Sequence, residues 1–290
     1  MSDNKSMTWN DIVDQAKALH DRYRADGSLA WYRGHRDAAW ELKSTMHRHV
    51  DRMTRTFPRP TPHEDSVSLL REEYKTLYRR FKADAWSLLG ERERSEWGVL
   101  FTMQHFSIPT RLMDWTESFA CAVFFAQLRR KREDTAAIWV VDPQALNLMT
   151  VGRDGLMFLG DDTSSTTPVD PHAWHPRWTP PEDPLPTVAA APLFTNPRMV
   201  AQRSMFTLAG DSFQPLEEQY GQLVREERLS KIVLPPQLFD DADEYLSIAG
   251  LTAFNFYPDL QGLALKHEAR AEQTIRDAKI FYPQFFENAP

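Results

Sequence analysis

A single cysteine, Cys121, in 290 residues excludes an intrachain disulfide framework and any multi-cysteine zinc site. It stands among Ala120, Ala122 and Val123, the setting of a small core residue. Long apolar runs are missing as well. The longest, Phe119 to Leu128, is broken by Gln127 and is too short to span a bilayer. The opening residues, Met1 to Asp11, lack the basic-then-apolar order of a secretory leader, so the expectation is a cytoplasmic protein with no membrane partner. Glycine is scarce, with 11 residues, and neither a glycine-rich phosphate loop nor a G-x-S-x-G elbow is present. Histidine and carboxylate residues nowhere show metal-ligand spacing, so no metal is expected. Positive charge is in deficit. The net charge is -7, which provides no overall field for bulk nucleic acid.

What is present is enough for a core: hydrophobic residues make up 42% of the chain and charged residues 26%. Thr8 with Asp11 reads as a helix-capping pair, followed by Ile12, Val13, Ala16, Leu19 and Tyr23 at helical spacing, and Gly27 ends this N-terminal helical segment, residues 1–27. Leu29 to Arg33 reads as a short strand entering a polar turn, Gly34 to Asp37. Helices are expected from about Glu64 to Leu89, from Ser95 toward His105, and from Ser118 to about Arg130, with a loop from Phe106 to Trp115. The basic run Arg129 to Arg132 fits a solvated helix terminus. Strands are expected at Ala136–Val141, Met205–Leu208 and Lys231–Leu234, and helices at Leu238–Ala249 and from Pro258 to about Ala278. Residues 160–192 hold eight of the 20 prolines and read as an irregular insertion or lid within one domain, 1–290. His172 and His175 fall in that insertion. Helices with five to seven short strands, not strictly alternating, indicate an α+β fold with a short mixed sheet.

Two separated segments carry the most specific pattern. The first is Trp31-Tyr32-Arg33-Gly34, with Trp40, Leu42 and Arg48 after it. The second runs from Gln104-His105 through Pro109-Thr110-Arg111 to Asp114-Trp115-Thr116, then Ser118, Ala120, Ala122 and Ala126. These resemble the aromatic-Arg-Gly and QHxGxPTRLLDWT-like blocks of the FRG domain. Asn196-Pro197-Arg198 with Gln202 and Phe206 is similar to a third block, and Phe256 to Ala264 to a closing one. Ser107 stands where that family usually has glycine, and Met113 where it has leucine.

Read as chemistry, Arg33 or Arg111 can grip a phosphate or carboxylate through paired hydrogen bonds. Either can also pin two loops together by pairing with Asp114, whose apolar neighbours Met113 and Trp115 leave its charge in need of a partner. Gly34 allows a turn or a close approach to a ligand. Thr116 and Ser118 precede an apolar helix, where hydroxyls cap free amides and where an anion can also bind. His105 reads as a structural histidine or as a ligand contact.

The order of these parts is also loosely similar to ADP-ribosyltransferases of the Arg-Ser-Glu kind. That similarity implies Tyr32, Arg33 and Gly34 at the diphosphate of NAD, with His105, Arg111 and Ser118 as further binding residues. It implies Thr116 and Gln202 around the reacting ribose, with Asp114 or Glu117 to supply the carboxylate that Gln202 lacks. Gln202 occupies the place of the expected glutamate and cannot act as a base. The activity implied is an NAD-using ADP-ribosyltransferase or NAD hydrolase, in a setting such as bacterial anti-phage defence. The other reading is a non-catalytic module that binds a nucleotide or a phosphorylated small molecule through its arginines.

Overall fold

The computed structural model describes residues 7–56, 63–160, 170–178 and 181–282. In chain order the helices are α1 (Trp9–Ala25), α2 (Thr45–Thr56), α3 (His63–Ala85), α4 (Glu96–His105), α5 (Phe119–Gln127), α6 (Pro143–Val151), α7 (Pro197–Ala201), α8 (Leu216–Gln219), α9 (Gly221–Arg225), α10 (Phe239–Ile248), α11 (Ala253–Phe256) and α12 (Leu260–Phe281). The strands are β1 (Trp31–His35), β2 (Leu112–Thr116), β3 (Ala136–Val141), β4 (Met157–Leu159), β5 (Val188–Pro192), β6 (Ser204–Leu208) and β7 (Leu229–Leu234). All seven form one sheet in the order β4-β5-β6-β2-β1-β3-β7. Only β4 and β5 run parallel; every other neighbouring pair is antiparallel. The fold is α+β.

Strand alternation divides the core between the faces of the sheet. On β1, Trp31 packs with Trp115, Trp139 and Leu146 on one face. Tyr32 packs on the other with α5 and α10, through Ala122, Val123 and Leu246. A third cluster joins α2, α3 and α4 to Leu112, Phe206 and Leu208. Gly34 is fixed by this packing. A Cβ there would collide with the Ala122 carbonyl oxygen and stand 2.6 Å from the Ala126 nitrogen. The close approach expected at Gly34 is therefore to helix α5, whose small residues face the strand.

Several expectations change on contact with the sheet. The capping box of Thr8 and Asp11 is present. The expected turn at Gly34 and His35 is strand, because both residues pair with β3. The expected loop from Phe106 to Trp115 contains β2, which has β1 and β6 as neighbours. Asp142, which follows β3 directly, caps α6, its side chain accepting from Gln144 N and Ala145 N. The proline-rich stretch yields a buried strand, β5, because Pro192 lies at its end and leaves the ladder free. His175 in that stretch is 1% exposed, packed edge-on against Tyr78 and Trp97, so its segment is part of the core. Residues 161–169, expected to belong to a lid, lie outside the described residues. Arg130 departs from the solvated basic run. It is buried, and its guanidinium donates to the carbonyls of Asp134, Leu234 and Pro235 and to Gln127 Oε1. Among the described residues no helix is long and apolar enough to cross a membrane.

Candidate functional site

The two central strands β1 and β2 share one ladder pair, Tyr32 opposite Thr116. Each is paired over five residues on its other side, β1 with β3 and β2 with β6. Past Tyr32 and Thr116 the two strands part, and a cleft of about 240 Å³ opens at the division. Tyr32, Arg33, Gly34, His105, Asp114, Thr116 and Gln202 all line it, together with Gln104, Cys121, Phe125, Arg198 and Tyr257. Residues far apart in sequence thus meet because a β-ladder stops short.

Arg33 occupies the split. Its NH1 donates to the Asp114 carbonyl oxygen at 2.5 Å, standing in for a ladder bond that the parted strands do not make. The Asp114 carboxylate is 3.9 Å from the same nitrogen. Arg33 Nε donates to His35 Nε2 at 3.0 Å. Burial, with Arg33 adding its charge, pushes the His35 pKa down to about 3, so the imidazole is neutral and its Nε2 accepts. Burial also pulls Arg33 below its ordinary value, against the pull of Asp114. A guanidinium stays charged under such a shift.

Asp114 does not sit in apolar surroundings, as its sequence neighbours suggested. Met113 and Trp115 point to the opposite face, and the Asp114 side chain is half exposed toward the cleft. Its Oδ2 accepts from Gln104 Nε2 at 2.6 Å, and Gln104 Oε1 accepts from Thr110 Oγ1 at 2.5 Å. This relay fixes the Gln104 amide and aims the carboxylate. Arg198 supplies a second guanidinium, 4.3 Å from the Tyr257 ring centroid and bonded to Asp259 at 2.5 Å. His105 is held below its ordinary pKa by burial first and by Arg198 second.

Other polar groups are committed within the protein. Thr116 Oγ1 donates to the Gln202 carbonyl at 2.6 Å and accepts from Ser118 N at 2.9 Å, which ties β2 to α7 and to the entry of α5. Gln202 Nε2 donates to the Phe256 carbonyl at 3.0 Å. Ser118 caps α5 by accepting from Cys121 N and does not line the cleft. Burial raises the Cys121 thiol to about 12, so it is no thiolate nucleophile.

Arg111 is not brought to this cleft, and the expected Arg111–Asp114 pair does not form. Arg111 precedes the first residue of β2 and is buried beside Tyr74 of α3. There its NH2 meets Asp211 at 2.9 Å and its NH1 donates to the Gly210 carbonyl. Arg71 completes the cluster, 2.6 Å from the other Asp211 oxygen. Gln104, Arg198 and Tyr257 were visible in the sequence only as motif positions without a role. Their role appears when the distant blocks fold against β2.

No curated protein and no solved structure matches the chain. The segments around Arg198 and Tyr257 lie beyond the part of the chain that a family model recognises. That part, residues 28–135, contains β1, the relay from Thr110 through Gln104 to Asp114, and helix α5, and it matches the FRG domain.

Proposed function

We propose that the cleft between β1 and β2 binds a nucleotide and that its substrate is NAD, cleaved at the nicotinamide–ribose bond by an ADP-ribosyltransferase or NAD hydrolase activity. The observation that carries this reading is the placement of Arg33 beside an aimed carboxylate, Asp114, in one open cleft. Arg33 and Arg198 are guanidinium donors suited to a diphosphate. Tyr257 and Phe125 give the apolar wall that a ring needs. At about 240 Å³ the cleft is smaller than the roughly 300–1,000 Å³ of sites that enclose a drug-sized ligand. It suits one half of a dinucleotide, with the remainder over the rim.

When the glycosidic bond breaks, nicotinamide leaves with the bonding pair and positive charge develops on the ribose. A carboxylate held in place opposes that charge without reorganising. Asp114 fits this task, since Gln104 holds one of its oxygens. Water or an acceptor then bonds to the sugar carbon and releases its proton. Gln202 contributes a neutral contact and Thr116 a structural tie. On this reading NAD depletion would make the chain toxic to its own cell, in keeping with an anti-phage setting.

The bonds of Thr116 and Gln202 to backbone carbonyls favour a second reading, a nucleotide-binding module without turnover. Asp114→Asn separates the two. For an enzyme, nicotinamide release from labelled NAD falls by about a hundredfold or more while NAD binding persists. For a binding module, wild type releases no nicotinamide and the variant binds NAD more tightly, having lost a negative charge beside a diphosphate. If wild type neither binds nor cleaves NAD, both readings fail.

A further inference from the structure

A second cavity, of about 390 Å³, lies between α3 and the 170–178 segment, separate from the cleft at the parted strands. Arg71, Lys75 and Arg79 recur every fourth residue on α3 and so share one face toward it. Arg177 and Trp178 come from the opposite wall, and Arg111 and Tyr74 lie at the floor. Five cations therefore line one hollow in a protein whose net charge is -7.

The carboxylates nearby do not cancel them. Asp211 is shared by Arg71 and Arg111, and Glu96 pairs with Arg177. Among the described residues Glu72 is the one acid in the lining, and it stands 3.7 Å from Lys75 on the exposed helix surface. Cations outnumber carboxylates even after every one of these is counted. The Arg111 Nε is buried and has no partner among the described residues, which leaves a donor at the floor. Trp178 offers half-exposed indole surface at the rim, with Arg177 5.3 Å from its ring centroid. The volume falls within the range of sites that enclose a small organic ligand.

We propose that this cavity is a second ligand site, for a nucleoside polyphosphate. Its phosphates lie along Arg71, Lys75 and Arg79, and its base stacks at Trp178. Cations spaced along one helix face match a chain of phosphates better than a single carboxylate. An aromatic wall supplies ring contact that inorganic phosphate does not need.

The test is calorimetric titration of the full chain carrying Arg33→Ala, which disables the first cleft, with ATP, AMP and pyrophosphate. ATP is expected to bind at one site, more tightly than AMP or pyrophosphate. Adding Lys75→Glu and Arg79→Glu, both surface changes on α3, is expected to weaken ATP by about tenfold or more. Trp178→Leu is expected to remove the preference for ATP over pyrophosphate. The proposal is overturned if ATP binding vanishes with Arg33→Ala alone, if the charge reversals leave it unchanged, or if pyrophosphate binds as tightly as ATP to the chain with Trp178 intact. A failure of NAD binding at the first cleft leaves these outcomes readable, because every titration is done without Arg33.

Discussion

Arg33 holds Asp114 by its backbone: the guanidinium donates to the Asp114 carbonyl at 2.5 Å, while the carboxylate stays 3.9 Å away and turns to Gln104. The pair is thus more than a brace. One end of Asp114 closes the gap between strands, and the other is presented to the cleft. Arg33→Ala should cost about 1–3 kcal/mol of stability, since two neutral acceptors lose their donor, the Asp114 carbonyl beside the open cleft and the buried His35 Nε2. NAD binding at the cleft should weaken by about tenfold or more. The His35 pKa, now about 3, should rise yet remain below 6.5, because burial exceeds Arg33 as the cause of its depression. Imidazole proton chemical shifts followed against pH would check this; an unmoved His35 would remove Arg33 from its surroundings.

Gly34→Ala tests a different cause. The new methyl meets main-chain atoms of α5, which no rotamer change relieves. Overpacking of this kind costs about 1–3 kcal/mol, and backbone contact places the variant at the upper end. Urea denaturation should show the loss with or without nucleotide. A variant of unchanged stability would mean that Gly34 is needed by a ligand and not by the helix.

Much of this arrangement can be read in the chain before folding. The unbroken apolar run Ala136–Val141 announced β3, the cap at Ser118 announced α5, and the aromatic-Arg-Gly and Pro-Thr-Arg blocks pointed to the cleft. Strand β2 was hidden, because its five residues follow a proline loop and carry Asp114 on one face. Pro-rich sequence concealed β5, whose ladder needs only that proline come last. Arg111 and Asp114 lie three residues apart in one motif, yet they serve separate places. Only the choice of partner, Asp211, a hundred residues away, decides that, and no local pattern encodes it.

Arg111→Met should be more damaging than Arg33→Ala. It removes one of two guanidinium partners from Asp211, which is 2% exposed. Burial pulls that carboxyl up, and Arg71 and Arg111 together outweigh it and hold it below the usual range. Breaking a buried pair on one side costs about 3–5 kcal/mol. Thermal unfolding would measure the loss, and Arg111→Lys should not restore it, because an ammonium cannot reach Asp211 and the Gly210 carbonyl in the same fork. A fully stable Arg111→Met would show the cluster to be dispensable.

Three buried histidines set the acid limit. His35, His47 and His175 are each pushed down to about 3, with burial the largest cause in every case. Their unfolded values lie near 6.5, so the unfolded chain takes up protons first as pH falls. Stability is complete above pH 6.5. It should decline between 6.5 and 3, by up to about 1.4 kcal/mol per pH unit for each histidine. His175→Phe, apolar and ring-shaped beside Tyr78 and Trp97, should reduce that slope by about a third. Urea midpoints at pH 7, 6, 5 and 4 would decide. A flat profile over that span would contradict the neutral burial of these rings.

Ser107 carries a penalty that the site does not require. Its φ is 61°, in the left-handed region that favours glycine, just after α4 ends at His105. The FRG resemblance has glycine at this place, and the backbone explains why. Ser107 is exposed, and its amide serves the turn out of the helix, donating to the Gln104 carbonyl at 3.0 Å. Ser107→Gly relieves the strain of a Cβ in that conformation, offset in part by the greater freedom of glycine in the unfolded chain. The net gain should be about 0.5–1 kcal/mol, seen as a rise of about 2 °C in melting temperature. Gln104 and Asp114 keep their bond in this variant, so nucleotide affinity should not change. Loss of stability would mean that the turn after α4 is held by the serine side chain and not merely tolerated by it.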